Sequence, residues 1–529
     1  MNKVNIIIMI FIFMLISCTK KDSNKDINAK QVSLDQAVSP KVSVELKTEG
    51  LVANHPPAAT LNAYWGGGFQ APVWLSRPVK RDKKPKPYPI GWLLNWNQIA
   101  VDASGLDHTP VAPGENRVFG EQLGPGRSSR AMAIVHIAIF DAINAIDGGF
   151  KSYTDINRVN EETSMRAAIA QAAHDTLLAL YPSQADSFAE ELDDDLNNID
   201  DGAAKSRGIK LGKKAAQKIL ALRANDGSQH AEPIVGVDYI TSNDPGHWRQ
   251  DPISLIPIAL GANWKTVRPF VMNSASQFRV DPPPALNSPE YATAYNETKS
   301  VGGDVINTPT TRTTSQTEIG IYWAYDGTPS LCAPPRLYNQ IVVHIAQQNG
   351  TKFNDFARLL ALINVAMADA GIAAWESKYF YDFWRPITAI READTDGNAA
   401  TIQDAGYSPL GAPASNLSGP NFTPPFPAYP SGHATFGGAV FEILRKFYGR
   451  DDIKFTFVSD EYNGETKDNQ GSIRPLKPRT FNSFSEAEEE NGQSRMYLGI
   501  HWAFDKTAGI DQGHQVADLV FDSVFERDN

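Results

Sequence analysis

Three clusters of polar residues in the second half of the chain could do chemistry together, because they combine cations and histidines with turn residues. In "KYFYDFWRPITAIR" the lysine and the first arginine are seven residues apart, about two helical turns, which predicts that both lie on one face of a helix. The motif "YPSGH" puts a histidine behind a typical helix cap. The clusters comprise Lys378 and Arg385, then Ser431, Gly432 and His433, and finally Arg495, His501 and Asp505.

The first property of these clusters is a predicted affinity for an oxoanion. Lys378, Arg385 and Arg495 supply three cations. Ser431 is a typical N-cap residue, so backbone N–H groups near Gly432 are expected to be free at a helix start, and glycine lets a ligand approach the backbone closely. Bare amides at a helix N-terminus beside several cations suit a tetrahedral oxoanion.

The two histidines offer two further functions. One can bond to the central atom of the anion, while the other exchanges protons with what is attached to it. Asp505 follows His501 by four residues, so its carboxylate could hold the second ring nitrogen and fix the tautomer. Each cluster alone could be a solvated helix face, an ordinary cap or a surface contact. Their combination in this order favours a single site.

These residues must be positioned by helices, since apolar residues recur with a period of 3.6 over most of the chain from about residue 128 onward. Long stretches of alternating strand pattern are missing, so the predicted fold class is mainly α. Pro- and Gly-rich loops are expected at 226–290 and 392–430, and a helix should end or kink at Arg385, which precedes a proline. The predicted helices cover residues 129–146, 164–181, 203–225, 335–348, 354–384, 433–449, 484–500 and 503–526.

A self-similarity suggests how these helices are organised. Residues 130–142 and 358–370 both fit R-x-x-A-x-x-x-x-A-x-x-D-A, at an offset of 228 positions. Chance likeness of two Ala-rich helices is one explanation. The bolder interpretation is a pair of four-helix-bundle-like halves related by an internal repeat, covering 91–309 and 310–529. The polar clusters would then place the active site in the C-terminal bundle.

Two potentially reactive side chains are predicted to belong to the core instead. His136 takes the place of Asn364 in the repeat and lies on an apolar helix, where a histidine is usually a satisfied core residue. Cys332 is one of two cysteines in the chain and has no second cysteine near it in sequence. A packed, unreactive thiol is therefore expected there, with no disulfide if the other cysteine carries lipid.

The N-terminus is expected to direct export. Lys3 is followed by an apolar run over residues 6–16, which is too short to span a bilayer but typical of a signal peptide, and residues 15–18 resemble a bacterial lipobox. The resemblance implies a lipoprotein signal peptide at 1–17 and lipidation of Cys18, which would anchor an exported protein to a membrane in the periplasm or at the cell surface. The alternative is a plain secretory signal with a chance cysteine.

Composition limits the remaining choices. A net charge of −11 over 529 residues argues against nucleic-acid binding, which needs a basic excess. The basic stretch 77–89 is proline-rich and is predicted to belong to a tether and linker over 18–90. Beyond the signal peptide no segment has 18 uninterrupted apolar residues, so no membrane span is expected in the rest of the chain.

Taken together, K-x6-RP, PSGH and SR-x5-H resemble the motifs shared by the vanadium-dependent haloperoxidases and the type 2 phosphatidic acid phosphatase superfamily. The likeness to the haloperoxidase branch is strong over about 316–506 and weaker around 127–146, and it includes "YWAYDG", "PPRLYNQI", "DFARL" and "FPAYPSGHATFGGA". The positions that match the motifs are Lys378, Arg385 with Pro386, Pro430 to His433, and Ser494, Arg495 and His501.

The resemblance implies vanadate as cofactor and a role for each matching residue. His501 would ligate vanadium through a ring nitrogen, and His433 would be the acid–base group when hydrogen peroxide replaces a vanadate oxygen. Lys378 would polarise the bound peroxide, which oxidises a halide to hypohalous acid that halogenates an organic acceptor. Asp326 in "YDG" would pair with Arg495. The groups that would bind the vanadate oxygens are Lys378, Arg385, Ser431, Gly432 through its N–H, and Arg495.

Two aromatic residues beside the motifs match the chloroperoxidase pattern of this family. Trp375 lies three residues before Lys378, and Phe426 lies five before Ser431, at a position where bromoperoxidases often have histidine. Both could instead be packing the core. The resemblance therefore makes them halide-site candidates and leaves the halide itself open.

Two alternative functions stay open at this point. In a phosphatase of the same superfamily, His501 would be the nucleophile that forms a phosphohistidine, Asp505 would orient it, and His433 would protonate the leaving group. A non-catalytic surface lipoprotein could also bind an anion. A complete helical bundle ahead of the motifs favours the haloperoxidase, and two histidines beside three cations argue against simple anion binding, which needs no proton donor.

Overall fold

Two long apolar helices, α3 (Gly124–Asp147) and α10 (Phe353–Tyr381), pack against each other in the computed structural model, which describes residues 60–73, 75 and 89–528. Both are long and apolar enough to cross a membrane, but their apolar stretches are completely buried inside the protein, so they serve as core helices. The predicted signal peptide, Cys18 and most of the predicted linker lie outside the described residues.

Helices dominate the described residues, which confirms the mainly α prediction. Two three-residue strands, β1 (Phe455–Phe457) and β2 (Arg479–Phe481), form an antiparallel pair in which Phe455 lies opposite Phe481. The other helices are α1 (Leu61–Trp65), α2 (Pro89–Asp107), α4 (Met165–Leu180), α5 (Ala185–Asn197), α6 (Ala203–Arg223), α7 (Pro289–Gly302), α8 (Thr314–Tyr322), α9 (Pro334–Gln348), α11 (Pro386–Arg391), α12 (Gly432–Tyr448), α13 (Phe484–Tyr497) and α14 (Ala503–Ser523).

The predicted helices are all present, with their ends shifted by a few residues, and the predicted loops 226–290 and 392–430 are largely irregular. The pattern missed several helices, among them α2, α5 and α11. α2 is buried on most of its surface, so no polar face alternates with an apolar one. α5 has a narrow apolar stripe among acidic residues, and α11 is too short to show a period.

The helices form two groups that meet through α3 and α10. In the N-terminal part, α3, α4 and α6 pack against one another, with α2 and α5 beside α4. In the C-terminal part, α10, α12 and α14 pack together, with α13 against α12 and α14. The described residues all belong to one compact unit, and the division into 91–309 and 310–529 stays a prediction.

The proposed repeat pairs two buried aspartates that have the same structural role. The carboxylate of Asp141 in α3 accepts the backbone N–H groups of residues 153–154 at 2.9 and 2.8 Å. The carboxylate of Asp369 in α10 accepts those of residues 270–272 at 2.6 to 2.9 Å. Each aspartate thus pins a loop to a core helix. This likeness supports the repeat, which remains a hypothesis.

The prediction that Lys378 and Arg385 share one helix face is wrong. α10 ends at Tyr381, because Asp382 takes a left-handed conformation with φ of 50°. Arg385 is extended, with ψ of 156°, and directly precedes the start of α11 at Pro386. A residue before proline is disfavoured in the helical region, which explains this break. A helix end at Arg385 was itself expected. Because of this break, the direction of the Arg385 side chain is not set by α10.

The turn between the two cations is held by the irregular segment that follows α6. The Asp382 carboxylate accepts the Tyr239 hydroxyl at 2.9 Å and lies 3.0 Å from Nδ1 of His247. The backbone N–H of Trp248 donates to the Asp382 carbonyl at 2.7 Å. A loop of the N-terminal half therefore fixes the backbone that carries Arg385.

Two side chains assigned to the core are indeed buried, but one assignment needs correction. His136 is 1% exposed, yet its Nε2 has no hydrogen-bond partner among the described residues, so the prediction of a satisfied histidine is wrong. Its surroundings on α3 are apolar, and this burial lowers the pKa of His136 to about 3. Cys332 is a buried free thiol with its Sγ 3.0 Å from the Ser104 hydroxyl, as expected for a packed cysteine.

Candidate active site

The PSGH motif forms the start of α12, as the sequence predicted. Ser431 is the N-cap, and its hydroxyl oxygen accepts the N–H of Ala434 at 3.4 Å. Its own N–H donates to the Asp505 carbonyl at 3.0 Å, which ties α12 to α14. Gly432 is closely packed, since a Cβ there would lie 3.1 Å from the Trp375 ring. The start of α12 is therefore held in place, and glycine occupies the position that has little room for a side chain.

Three buried cations from three different segments meet at this helix start. Lys378 comes from α10, Arg385 from the break before α11 and Arg495 from α13, and each is at most 1% exposed. Asp326 and Asp505 are the acidic residues that interact with them. Even with both carboxylates ionised, the group carries one excess positive charge. Since a buried charge is costly without a counterion, this excess favours an anion.

Lys378 is held by the backbone of the segment before α12. Its ammonium donates to the carbonyls of Pro427 and Ala428 at 2.9 Å each and to that of Pro430 at 2.5 Å. Burial, and then the neighbouring Arg385, lower the pKa of Lys378 well below its usual range. An oxoanion can gain a hydrogen bond from Lys378 only if it replaces one of these carbonyls.

His501 presents one ring nitrogen to the cations. The Asp505 carboxylate lies 2.7 Å from Nδ1, as predicted from the i, i+4 spacing, and accepts its hydrogen. Nε2 is then an acceptor, and it lies 2.9 Å from Nη1 of Arg385. Burial, followed by Arg385 and the other cations, lowers the pKa of His501 well below its usual range. The neutral ring with a basic Nε2 is the form needed for a metal ligand or a nucleophile.

His433 has the opposite tautomer. Its Nε2 lies 2.5 Å from the Ala324 carbonyl and donates to it, which leaves Nδ1 unprotonated. Its own backbone carbonyl accepts hydrogen bonds from Tyr338 and Asn491 at 2.9 and 3.0 Å. Burial, and then Arg495, lower the pKa of His433 well below its usual range. The ring is fixed and can accept a proton at Nδ1.

The arginines carry hydrogen-bond donors that are not used. Nη2 of Arg495 donates to Asp326 at 2.5 Å, which confirms the predicted pair. Nε and Nη1 of Arg495 and Nη2 of Arg385 are buried and have no partner among the described residues. Buried charged donors are rarely left unpaired. A tetrahedral oxoanion between them would accept hydrogen bonds from these donors, so vanadate or phosphate fits the residues present.

Trp375 and Phe426 line the same cleft as His433 and Arg495. Their rings lie 4.9 Å apart, and the Trp375 N–H donates to the Leu260 carbonyl at 3.0 Å. Phe426 also covers both cations, 5.1 Å from Nζ of Lys378 and 4.9 Å from the Arg385 guanidinium. The two aromatics thus pack the core and border the site at once, and their role in halide choice stays a prediction.

The sequence motifs missed the opposite side of the cleft. Tyr64 and Trp65 from α1 line it, together with Ile256 and the prolines of "FTPPF". Tyr64, Trp65 and Ile256 are far from the motifs along the chain, whereas the two prolines lie just before PSGH. The proline and aromatic run before PSGH was the one signal that could have indicated an apolar wall.

Comparisons with known proteins point to one family. The family models for the vanadium chloroperoxidase (VCPO) N-terminal domain and the VCPO second helical-bundle domain match residues 79–271 and 358–527. The vanadium chloroperoxidase of Curvularia inaequalis is 31% identical over 515 residues, covering 82% of each protein.

Two solved structures share the fold. A bacterial vanadium-dependent iodoperoxidase superposes with a TM-score of 0.66 at 22% identity, over 85% of this chain and 100% of that one. A holo-type bacterial vanadium-dependent chloroperoxidase gives a TM-score of 0.59 at 18% identity, over 81% and 96% of the two chains. With a curated relative matched over four fifths of both sequences, the chain belongs to the vanadium-dependent haloperoxidase family.

Proposed function

We propose that this protein is a vanadate-dependent haloperoxidase that uses hydrogen peroxide to oxidise a halide to hypohalous acid, which then halogenates an organic acceptor. The observation that carries the proposal is the group of buried, partly unpaired guanidinium donors around Nε2 of His501. Family membership supports the same activity.

Vanadate would be held by the groups that the structure gathers at the start of α12. His501 would ligate vanadium through Nε2 once Arg385 gives up its hydrogen bond to that nitrogen. The unpaired donors of Arg385 and Arg495 would bind oxygens, as would the hydroxyl hydrogen of Ser431 and the N–H of Gly432. Lys378 would join them by exchanging one of its carbonyl acceptors. When bound, vanadate supplies a Lewis-acid centre that activates hydrogen peroxide for attack by halide.

The chain's own residues supply proton transfer and electrostatics. Nδ1 of His433 would take a proton from hydrogen peroxide as it binds and return a proton to the oxygen that leaves as water. The overall balance is one halide, one hydrogen peroxide and one proton giving hypohalous acid and water. Lys378 and the two arginines stabilise negative charge on the oxygens, which makes the oxygen that halide attacks more electrophilic. Burial strengthens these interactions because water is excluded.

A phosphatase remains the second candidate, because one observation also favours it. Nε2 of His501 is oriented by Asp505 as a phosphohistidine nucleophile would be, and the same arginine donors would bind phosphate oxygens. His433 could then protonate the leaving group.

One assay separates the two candidates. The full chain is loaded with orthovanadate and given hydrogen peroxide with iodide, bromide or chloride, while triiodide or a halogenated phenol is followed. The vanadate-free protein is tested in parallel for phosphate release from p-nitrophenyl phosphate. We expect vanadate-dependent oxidation of at least one halide. No oxidation of any halide, together with phosphate release, would establish the phosphatase instead.

We also propose that the protein is an exported lipoprotein anchored through Cys18, on the strength of the signal-peptide and lipobox pattern. Expression with Cys18→Ala should release the protein from the membrane fraction of a bacterial host. An unchanged membrane fraction would contradict the lipid anchor.

A further inference from the structure

A second cavity lies at the start of α3, beside the cleft of the oxoanion site. It is lined by the first residues of the helix, by Arg127 and by Trp264. It has room for about one water-sized particle, so an organic molecule does not fit. Pro125, Leu260 and Trp375 line both this cavity and the cleft, which makes the two spaces neighbours.

Trp375 separates the cavity from the oxoanion site. A Cβ on Gly261, which lines the cavity, would lie 2.3 Å from Cδ1 in the five-membered ring of the indole. A Cβ on Gly432, at the start of α12, would lie 3.1 Å from Cη2 at the opposite end of the indole. An ion in the cavity would therefore lie across the Trp375 ring from the place where halide is oxidised.

Two buried side chains at this cavity have hydrogen-bond donors that are not used. Trp264 is 1% exposed and Arg127 is 6% exposed, yet Nε1 of Trp264 and Nε of Arg127 have no partner among the described residues. The guanidinium lies over the indole, with its carbon 5.4 Å from the ring centre. Indole and guanidinium N–H groups can only donate, and buried donors usually find an acceptor. The missing partner is therefore an acceptor.

The start of α3 adds a backbone donor. Its N-cap, Leu123, has no side chain that could accept a hydrogen bond. The N–H of Gly124 donates to Nε2 of His108 at 3.0 Å, whereas no acceptor for the N–H of Gly126 is found among the described residues. Gly126 also lies against the indole, since a Cβ there would be 2.8 Å from Nε1 of Trp264. These unpaired donors are thus close together at the positive end of the helix dipole.

Glu232 is the acidic residue of the cavity, and both of its oxygens are already in use. Oε1 pairs with Nη1 of Arg127, and Oε2 accepts the N–H of Gly261. Because Arg127 balances this carboxylate, no excess negative charge is left to repel an anion. A water molecule has too few lone pairs to accept all the unpaired donors, whereas a monatomic anion can accept them together.

We propose that a halide ion binds in this cavity and accepts hydrogen bonds from Nε1 of Trp264, Nε of Arg127 and the N–H of Gly126. A spherical ion matches the small size of the cavity and imposes no direction on its donors. The ion is held there and is not oxidised, because Trp375 keeps it apart from the oxoanion site. Binding at this second site requires neither vanadate nor peroxide, so it stands independently of the proposed function.

Bromide diffraction locates the ion. Crystals of the full chain, grown without halide, are soaked in sodium bromide and measured at the bromine absorption edge. We expect an anomalous peak beside Nε1 of Trp264 and Nε of Arg127, and no peak there in Trp264→Phe. A cavity that stays empty or holds only water in the soaked wild-type crystals would overturn the proposal.

Calorimetry measures the affinity in solution. Sodium bromide is titrated into the full chain without vanadate or peroxide, at an ionic strength held constant with sodium gluconate, whose anion is too large for the cavity. We expect saturable binding that weakens about ten-fold in Trp264→Phe, which keeps an aromatic ring but loses one charge-assisted hydrogen bond. Trp65→Phe is the matched control and should keep the wild-type affinity, because Trp65 also has a buried, unpartnered Nε1 but lines the cleft instead.

A second variant covers the case in which Trp264→Phe does not fold. Arg127→Lys keeps a positive charge opposite Glu232 but removes the Nε donor, so it should also weaken bromide binding. Unchanged affinity in the folded variants, or no saturable binding to the wild type, would overturn the proposal. Halide oxidation by the vanadate-loaded protein is measured separately, and its absence would contradict the proposed function without altering the result for this site.

Discussion

α3 and α10 are alike along their length and unlike at their C-terminal ends. Both are long and fully buried, and both use an aspartate to pin a loop. α3 ends at Asp147, with Gly148 as its C-cap, and has no basic residue in its last turn. α10 carries Lys378 in its last turn, and Arg385 follows just beyond its end. The apolar pattern therefore builds the scaffold, whereas the chemistry depends on polar residues at a helix end and on the segments that meet there.

The largest effect should come from His501, the residue that would ligate vanadium. His501→Ala removes the nitrogen that would ligate vanadium, so we expect halide oxidation to fall by about 10³-fold or more. Triiodide formation measures the loss. His514→Ala is the matched control in α14, where the histidine pairs with Glu488, and it should keep wild-type activity. If His501→Ala keeps full turnover, the ligand assignment is wrong.

Lys378 lies in the last turn of α10, where α3 has no basic residue. Its removal should have the second-largest effect on activity. Lys378→Met keeps the length and apolar packing of the side chain but removes a charge-assisted hydrogen bond to the oxoanion. We expect the vanadate concentration for half-maximal activity to rise about 10- to 100-fold. Lys378→Arg keeps the charge and should lose less affinity. Unchanged vanadate affinity in Lys378→Met would show that its carbonyl partners keep the ammonium away from the anion.

Each of the two helices buries a polar side chain near its middle, but only the one in α10 has a side-chain partner among the described residues. Asn364 in α10 exchanges hydrogen bonds with Asn339, at 2.8 and 2.9 Å. Asn364→Leu would remove both of these bonds and leave Oδ1 of Asn339 buried and unpaired, although its Nδ2 keeps the Pro335 carbonyl as an acceptor. We therefore expect a loss of about 1–3 kcal/mol in the free energy of unfolding at every pH. Urea denaturation at pH 7 and pH 5 measures it. A stability equal to wild type would mean that the pair contributes nothing.

His136, at the matching position of α3, should behave differently with pH. Burial lowers its pKa to about 3, while the unfolded chain protonates it near its ordinary pKa of about 6.5. Between these values the unfolded state binds more protons, so stability is full above about pH 6.5 and falls as pH falls. From pH 7 to pH 5 the loss from this group should be about 2 kcal/mol.

The test is His136→Leu, which removes the titrating group and roughly conserves volume. Its free energy of unfolding should fall less than that of the wild type between pH 7 and pH 5, by about 2 kcal/mol. Asn364→Leu serves as the control, because it should keep the wild-type pH dependence. Parallel pH profiles for wild type and His136→Leu would contradict the neutral, unpaired state of this histidine.

The sequence predicts the helices well, but it predicts the direction of side chains at helix ends poorly. Amphipathic helices and the roles of Ser431, Asp505 and Asp326 could be predicted, because each depends on neighbours close in sequence or on a family motif. The direction of Arg385 could not, since it depends on the left-handed Asp382 that breaks α10. Trp65 could not be linked to the site either, because nothing in a local pattern reports a contact across the chain.

The smallest and most specific effect concerns Phe426, whose ring covers both Lys378 and Arg385. Phe426→His would place a polar ring at a position where bromoperoxidases often have histidine, so chloride should compete less well against bromide. We expect the ratio of kcat/KM for chloride to that for bromide to fall about two- to five-fold, a change of about 1 kcal/mol or less. Phe426→Leu keeps an apolar cover and should shift the ratio less. If both variants change the two halides equally, Phe426 supports the packing around the end of α10 and takes no part in halide choice.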